Sequence, residues 1–292
     1  MESTRRREPL VCVAGDLVED IVVHARRASV RDADIAAAIE RHRGGSAANT
    51  AVTVARLGGR ARFIGQVGDD VTGARLRDEL VALGVECVGP CAGRTGTIVV
   101  VVEPGGARTM FSDRRAAGDV VALDEHVLDG ADVLHVPFYG LAGTPDGGPF
   151  RALLTRAREQ GLFVSVDPSS VTFAGAEFLA LVRETRPDVV FCNAAEAAAL
   201  GVDDDGLAGA RLVVVKRGAD AVLLRGETVA TVSVTPVPRV VDTTGAGDAF
   251  AGGFLLAVGR GDEAVRAAEA GHAAASRVVT ATGADAWEGG AP

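Results

Sequence analysis

At 292 residues, with 48% hydrophobic and 24% charged residues, the chain can bury a large core and is too apolar for long disordered tracts. Its formal net charge of -9 argues against a nucleic-acid partner, since phosphate backbones are held by clustered Lys and Arg. No apolar run is long enough for a bilayer, and the one after Arg5, Arg6 and Arg7 ends at Asp16, too early for a secretory leader, so the expectation is a cytoplasmic protein with no membrane partner.

Along the chain, short β-branched runs alternate with Ala- and Leu-rich amphipathic stretches. Strands are predicted at 10–14, 61–66, 133–136, 163–167, 189–192, 212–216 and 221–224, and helices at 47–57, 71–83, 150–160, 176–185 and 194–200. The repeated βα unit predicts an α/β fold, a doubly wound and mainly parallel sheet with helices on both faces. Two stretches break the rhythm. Segments 20–24 and 36–42, and segments 95–102 and 107–112, read as antiparallel pairs, the second turning at Glu103-Pro104-Gly105-Gly106. They predict a small β-lid, contributed by about 18–43 and 95–113, on a single domain spanning 1–292. Apolar Val99 and Val101 on exposed lid edges predict a homodimer joined through the lids; Arg26, Arg27, Arg41 and Arg43 are expected as solvated lid charges, and Arg114 and Arg115, just after the hairpin, as able to reach an anionic substrate. The Gly- and Pro-rich stretch 140–148 reads as a surface loop. Cys12, Cys87, Cys91 and Cys192 lack CxxC spacing and are expected reduced, with Cys12 and Cys192 buried; the five histidines show no metal-ligand spacing.

The segment richest in chemistry is Asp242-Thr243-Thr244-Gly245-Ala246-Gly247-Asp248-Ala249-Phe250, which opens a helix. Small residues there let backbone N–H groups converge at a helix start, where the macrodipole also favours an anion. Asp248 stands beside that point and can take a proton from a hydroxyl attacking phosphorus. The plainer alternative is a Gly-rich turn with an Asp stabilising a helix N-terminus. Upstream, Gly44-Gly45-Ser46-Ala47-Ala48-Asn49 places paired glycines before another helix, where backbone approaches a ligand closely and Asn49 both donates and accepts. Asp16 and Asp20 follow the first strand and suit paired hydroxyls, or serve simply as turn residues. Asn193-Ala194-Ala195-Glu196 is, by itself, a helix capping pattern. Lys216, before Arg217 and Gly218, ends an apolar run and is either solvated or held near a ligand.

Together these strings resemble the two signatures of the ribokinase-like (PfkB) carbohydrate kinases, in the right order and across 15–283. The resemblance implies ATP-dependent phosphorylation of a small sugar or nucleoside, with Asp248 as catalytic base and the amides of Gly245, Ala246 and Gly247 as the anion hole. It further implies sugar contacts from Gly44, Gly45, Asn49, Asp16 and Asp20, and nucleotide contacts from Asn193, Lys216, Gly218 and Thr244. Glu196 is implied to order Mg²⁺ through water, and Asp242, with carbonyls of 278–283, to border a K⁺ site. Ser46 and Val18 stand where ribose-phosphorylating relatives carry lysine and asparagine, which puts ribose in doubt. Tyr139, after Phe138, offers an aromatic face to a sugar or nucleobase, leaving a nucleoside kinase as the alternative. A non-catalytic sugar sensor on this fold is expected to lack the base or the anion hole. A nicotinamide enzyme is disfavoured, since 10–20 has no G-x-G-x-x-G turn.

Overall fold

A computed structural model of the protein describes residues 7–105, 107–120, 122–141 and 148–280. In chain order the strands are β1 (Leu10–Ala14), β2 (Val18–Ala25), β3 (Ala37–Gly44), β4 (Arg60–Ile64), β5 (Val85–Val88), β6 (Gly96–Val102) and β7 (Arg108–Asp113). They continue with β8 (Val133–Pro137), β9 (Phe163–Asp167), β10 (Val189–Asn193), β11 (Leu212–Lys216), β12 (Val222–Gly226) and β13 (Ala230–Val232). The helices are α1 (Ser46–Arg56), α2 (Val71–Ala82), α3 (Gly148–Glu159), α4 (Ala176–Thr185), α5 (Ala194–Leu200), α6 (Ala246–Arg260) and α7 (Ala264–Val278).

Nine strands form one sheet in the order β13-β12-β11-β10-β9-β8-β1-β4-β5, parallel from β11 through β5. Because a strand shows alternate side chains to opposite faces, β1 sends Val11 and Val13 into one core and Leu10, Cys12 and Ala14 into the other. The first core packs under α1, α2, α6 and α7, and the second under α3, α4 and α5, which is the doubly wound arrangement. The predicted strand at 221–224 lies in this sheet but runs antiparallel as β12, returning through a short turn that leaves no room for a crossover helix. Strands β5 and β13 and helix α7 are not among the elements the sequence pattern marks, and the strand expected to run to 66 ends at Ile64. Among the described residues all four cysteines are free, with Cys12 and Cys192 buried.

A second sheet has the order β3-β2-β6-β7. Its two antiparallel hairpins are joined by a parallel β2–β6 pairing, so β6 is an inner strand. Val99 and Val101 therefore lie on a strand paired on both sides, contrary to their expected place on an open edge; the exposed apolar side chains are Ile39 on β3 and Met110 and Phe111 on β7. Of the predicted turn and loops, Gly106, 142–147 and 281–283 lie outside the described residues.

Asp70 ties this sheet to the helical layer. Its carboxylate caps α2 by accepting from Gly73 N at 2.8 Å, and also accepts from Thr95 N at 2.8 Å and Thr95 Oγ1 at 2.5 Å, at the entrance to β6. The Thr95 hydroxyl and amide hold its pKa below the usual carboxylate value. An aspartate with a depressed folded pKa stabilises the protein above the unfolded value of about 3.9 and loses that contribution as pH falls. Asp70→Ala is expected to cost about 1 to 2 kcal/mol at pH 7 in urea unfolding, with the gap to wild type closing at acid pH; equal midpoints at pH 7 would show the cap to be dispensable.

Candidate active site

The carboxyl ends of the parallel strands β1, β8, β9, β10 and β11 deliver Asp16, Tyr139, Asp167, Asn193 and Lys216 to one side of the large sheet, where open α/β sheets bind ligands. Two helix starts point at the same place. Helix α1 begins after Gly45, whose φ of 102° is costly for any other residue and where a Cβ would overlap the Asp16 carbonyl oxygen. Helix α6 begins after Gly245, also left-handed with φ 75°.

Between those helix starts sits Asp248. Its Oδ1 accepts from Ser46 Oγ at 2.6 Å and its Oδ2 from Asn49 Nδ2 at 3.0 Å, so both upstream and downstream strings meet on one carboxylate. Burial pushes its pKa up to about 6, against the two donated hydrogen bonds and the nearby Lys216 ammonium, which lower it. A carboxyl with that pKa is ionised at neutral pH and retains basicity, as a general base requires.

Beside the α6 start, Lys216 Nζ lies 2.7 Å from Asp167 Oδ2. Burial disfavours its charge, but the Asp167 carboxylate prevails and the lysine pKa is raised, so the ammonium persists at neutral pH. Glu196 completes a capping box: Glu196 N donates to Asn193 Oδ1 at 2.9 Å and Asn193 N donates to Glu196 Oε2 at 2.8 Å. Burial and the Asp167 charge raise the Glu196 pKa, a cost that a bound cation relieves.

These groups surround a cavity of about 350 Å³. Of the residues singled out in the sequence, Asp16, Asp20, Gly45, Asn49 and Tyr139 line one end. Asn193, Glu196, Lys216, Gly218 and Thr244 line the other, with Gly245, Gly247 and Asp248 between. A second cleft of about 260 Å³ adjoins it through Lys216, Gly218 and Gly247 and is walled by Val222, Pro236, Val237, Val240, Phe250 and Val279.

Three expected residues sit differently. Ala246 faces the second cleft, and its N–H closes a turn onto Thr243 O at 3.2 Å, so that amide serves the loop. Gly44 stands behind the cavity, where a Cβ would overlap the Asp20 carboxylate. Asp242 Oδ1 lies 2.9 Å from Arg108 Nη2 of β7 and accepts from Thr244 N, while the Val279 carbonyl accepts from Val241 N at 2.8 Å.

Arg114, expected to reach an anionic substrate, and several residues outside any sequence motif also enter the site. Arg114 pairs with the buried Asp16 and lies over the Tyr139 ring, 3.7 Å from its centroid, while Phe173 meets Tyr139 at its edge. Ile98 and Met110 bring apolar surface from the smaller sheet. Asp167 is a site residue that a strand-ending carboxylate hinted at only weakly. Arg43, expected as a solvated charge, is instead buried: on β3, opposite Glu19 of β2, its guanidinium meets Asn49 of α1 and Glu79 of α2.

A family model described as pfkB family carbohydrate kinase matches residues 9–288. The chain is 28% identical over 269 residues to a fructokinase of Vibrio alginolyticus, covering 86% of this chain and 84% of that protein. It is 32% identical over 256 residues to an ATP-dependent ribose-1-phosphate kinase of Halopiger xanaduensis, covering 84% and 83% respectively. Among solved structures, adenosine kinase from Sinorhizobium meliloti superposes with a TM-score of 0.82 at 26% identity, covering 94% of this chain and 95% of that one.

Proposed function

The chain belongs to the pfkB family of carbohydrate kinases and is an ATP-dependent phosphotransferase, and we propose that it phosphorylates a hydroxyl of a small sugar with Asp248 as general base. The observation that carries this is the Asp248 carboxylate, fixed by Ser46 and Asn49 at the N-terminus of α6 and open to a sugar-sized cavity. A hydroxyl lying against Asp248 loses its proton to the carboxylate as its oxygen attacks the γ-phosphorus of ATP, whose bond to the β,γ-bridging oxygen breaks and releases ADP. The α6 start supplies N–H groups and positive dipole for the charge on the transferring group, with Gly245 and Gly247 as the amides that border the cavity.

The apolar second cleft suits the adenine of ATP, and its shared wall at Lys216, Gly218 and Gly247 puts the phosphates between base and acceptor. Lys216 is an ammonium point charge for those phosphates. Glu196, which keeps one carboxylate oxygen beyond its capping bond and lines the cavity with Asp167, would hold Mg²⁺, a hard cation that when bound would neutralise phosphate charge. The smaller sheet acts as the lid of one kinase domain, contributing Asp20, Ile98 and Met110 to the acceptor end.

A sugar is favoured over a nucleoside, because Arg114 already covers a face of Tyr139 that a nucleobase would stack on. The deciding experiment is ADP release with Mg²⁺ across neutral sugars, sugar phosphates and nucleosides, in K⁺ and in Na⁺. Release with a sugar is the expected result. Release only with nucleosides overturns the sugar assignment, and no release with any alcohol removes the kinase reaction itself.

A further inference from the structure

Strand β3 ends at Gly44, and Arg43, opposite Glu19 of β2, stands behind the cavity-lining Asn49. The Arg43 side chain is 0% exposed, and its Nη1 donates to Asn49 Oδ1 at 2.6 Å. A guanidinium has only donors, whereas a carboxamide has one accepting end and one donating end of nearly the same shape. A buried arginine at this spot therefore turns the Asn49 oxygen toward itself. The only remaining end, the NH₂, faces Asp248 Oδ2 at 3.0 Å. Reversed, the amide would set its carbonyl oxygen against the carboxylate.

The positive charge of Arg43 is balanced on its other side. Its Nε lies 3.5 Å from Glu79 of α2; Glu79 meets Arg75 at 3.6 Å; Arg75 and Arg41 hold Glu19 at 2.8 and 2.6 Å. The guanidinium thus has a carboxylate partner of its own and reaches Asp248 through a neutral carrier. The charged groups that act on Asp248 from other elements are Lys216 at the end of β11 and Asp167 at the end of β9.

We propose that Arg43 is a positioning residue for the base: it fixes the orientation of the Asn49 amide, and that orientation holds Asp248 in its reactive rotamer as a carboxylate. Lysine does not replace it, because a single ammonium cannot meet both Asn49 and Glu79 as the planar fork does. The inference rests on Asp248 being the base only for its kinetic consequence; the hydrogen-bond chain itself is independent of that assignment.

The test is direct titration of the Asp248 carboxyl by ¹³C NMR on the full chain labelled at aspartate, the signal being assigned by its loss in Asp248→Asn. Asn49 donates to the charged form, so its loss favours the protonated form and moves the midpoint up. In Arg43→Met the midpoint is expected to rise by about one pH unit, and in Arg43→Lys by part of that. In an Asn49→Ala background, where the donor is already gone, neither change adds to the shift. The acid limb of kcat/KM moves up in parallel. A wild-type midpoint in Arg43→Lys, or a full shift that persists in the Asn49→Ala background, overturns the proposal, and Arg43→Lys decides alone if Arg43→Met does not fold. An Asp248→Asn enzyme with wild-type turnover, by contrast, refutes the base assignment and leaves the titration result standing.

Discussion

Asp248→Asn is expected to lower turnover by about two to four orders of magnitude while ATP still binds and the protein becomes more stable, not less. The kinetic loss follows from removing the one carboxylate fixed at the start of α6. The asparagine fits the same space. Its oxygen accepts from Asn49 Nδ2, and its NH₂ turns to Ser46, whose hydroxyl accepts as readily as it donates. The gain in stability follows from the raised pKa. A carboxyl at about 6 in the folded protein and about 3.9 when unfolded binds more protons folded than unfolded between those values, so stability falls as pH rises through that window. At pH 7 the wild type carries that penalty in full, about 1 to 2 kcal/mol once partial solvent exposure is allowed for, and the neutral amide removes it. Thermal unfolding at pH 5 and pH 7 reads the difference, which is expected to be larger at pH 7. Wild-type turnover in this variant, or a loss of stability equal at both pH values, refutes the role given to the carboxylate. A site that holds a charged group against its own stability is what a catalytic demand produces.

The legible and illegible parts of the sequence divide by the range of the forces involved. Helix and strand identities in the parallel layers follow from local periodicity, and the two glycine-rich strings announce their turns because only glycine takes φ values such as those at Gly45 and Gly245 cheaply. The meeting of those strings at Asp248 is a contact between residues 199 and 202 positions apart, and no local pattern states it. The Asp167–Lys216 pair is hidden for the same reason: each residue ends its own strand, and β9 and β11 become near neighbours only because β10 lies between them. Arg43 was misjudged because three basic or polar residues at the end of a two-stranded ribbon look solvated. Its burial depends on α1 and α2 closing over the last paired residues of β3. The reversed direction of β12 is equally nonlocal, since an apolar run of that length fits either direction. The capping box at Asn193 and Glu196 follows from spacing alone and is present.

Gly247 separates the anion site from mere helix geometry. It lies in the first turn of α6 with ordinary helical backbone, so no left-handed conformation calls for glycine there. A Cβ at this position would stand 3.3 Å from Lys216 Nζ, which is tight but yields to a small shift of a flexible side chain. Gly247→Ala is therefore expected to cost little. Gly247→Val places two further methyl groups between the ammonium and the helix start, where the transferring phosphoryl group must pass. Turnover is expected to drop by about two to three orders of magnitude, comparable to deleting an oxyanion donor. Stability moves the other way, because both alanine and valine favour a helix interior more than glycine does. A valine variant that melts no lower than wild type and is inactive assigns the glycine to substrate passage. One that retains turnover shows that the phosphoryl group travels elsewhere, and the α6 N-terminus then loses its part in the reaction even if Asp248 keeps its own.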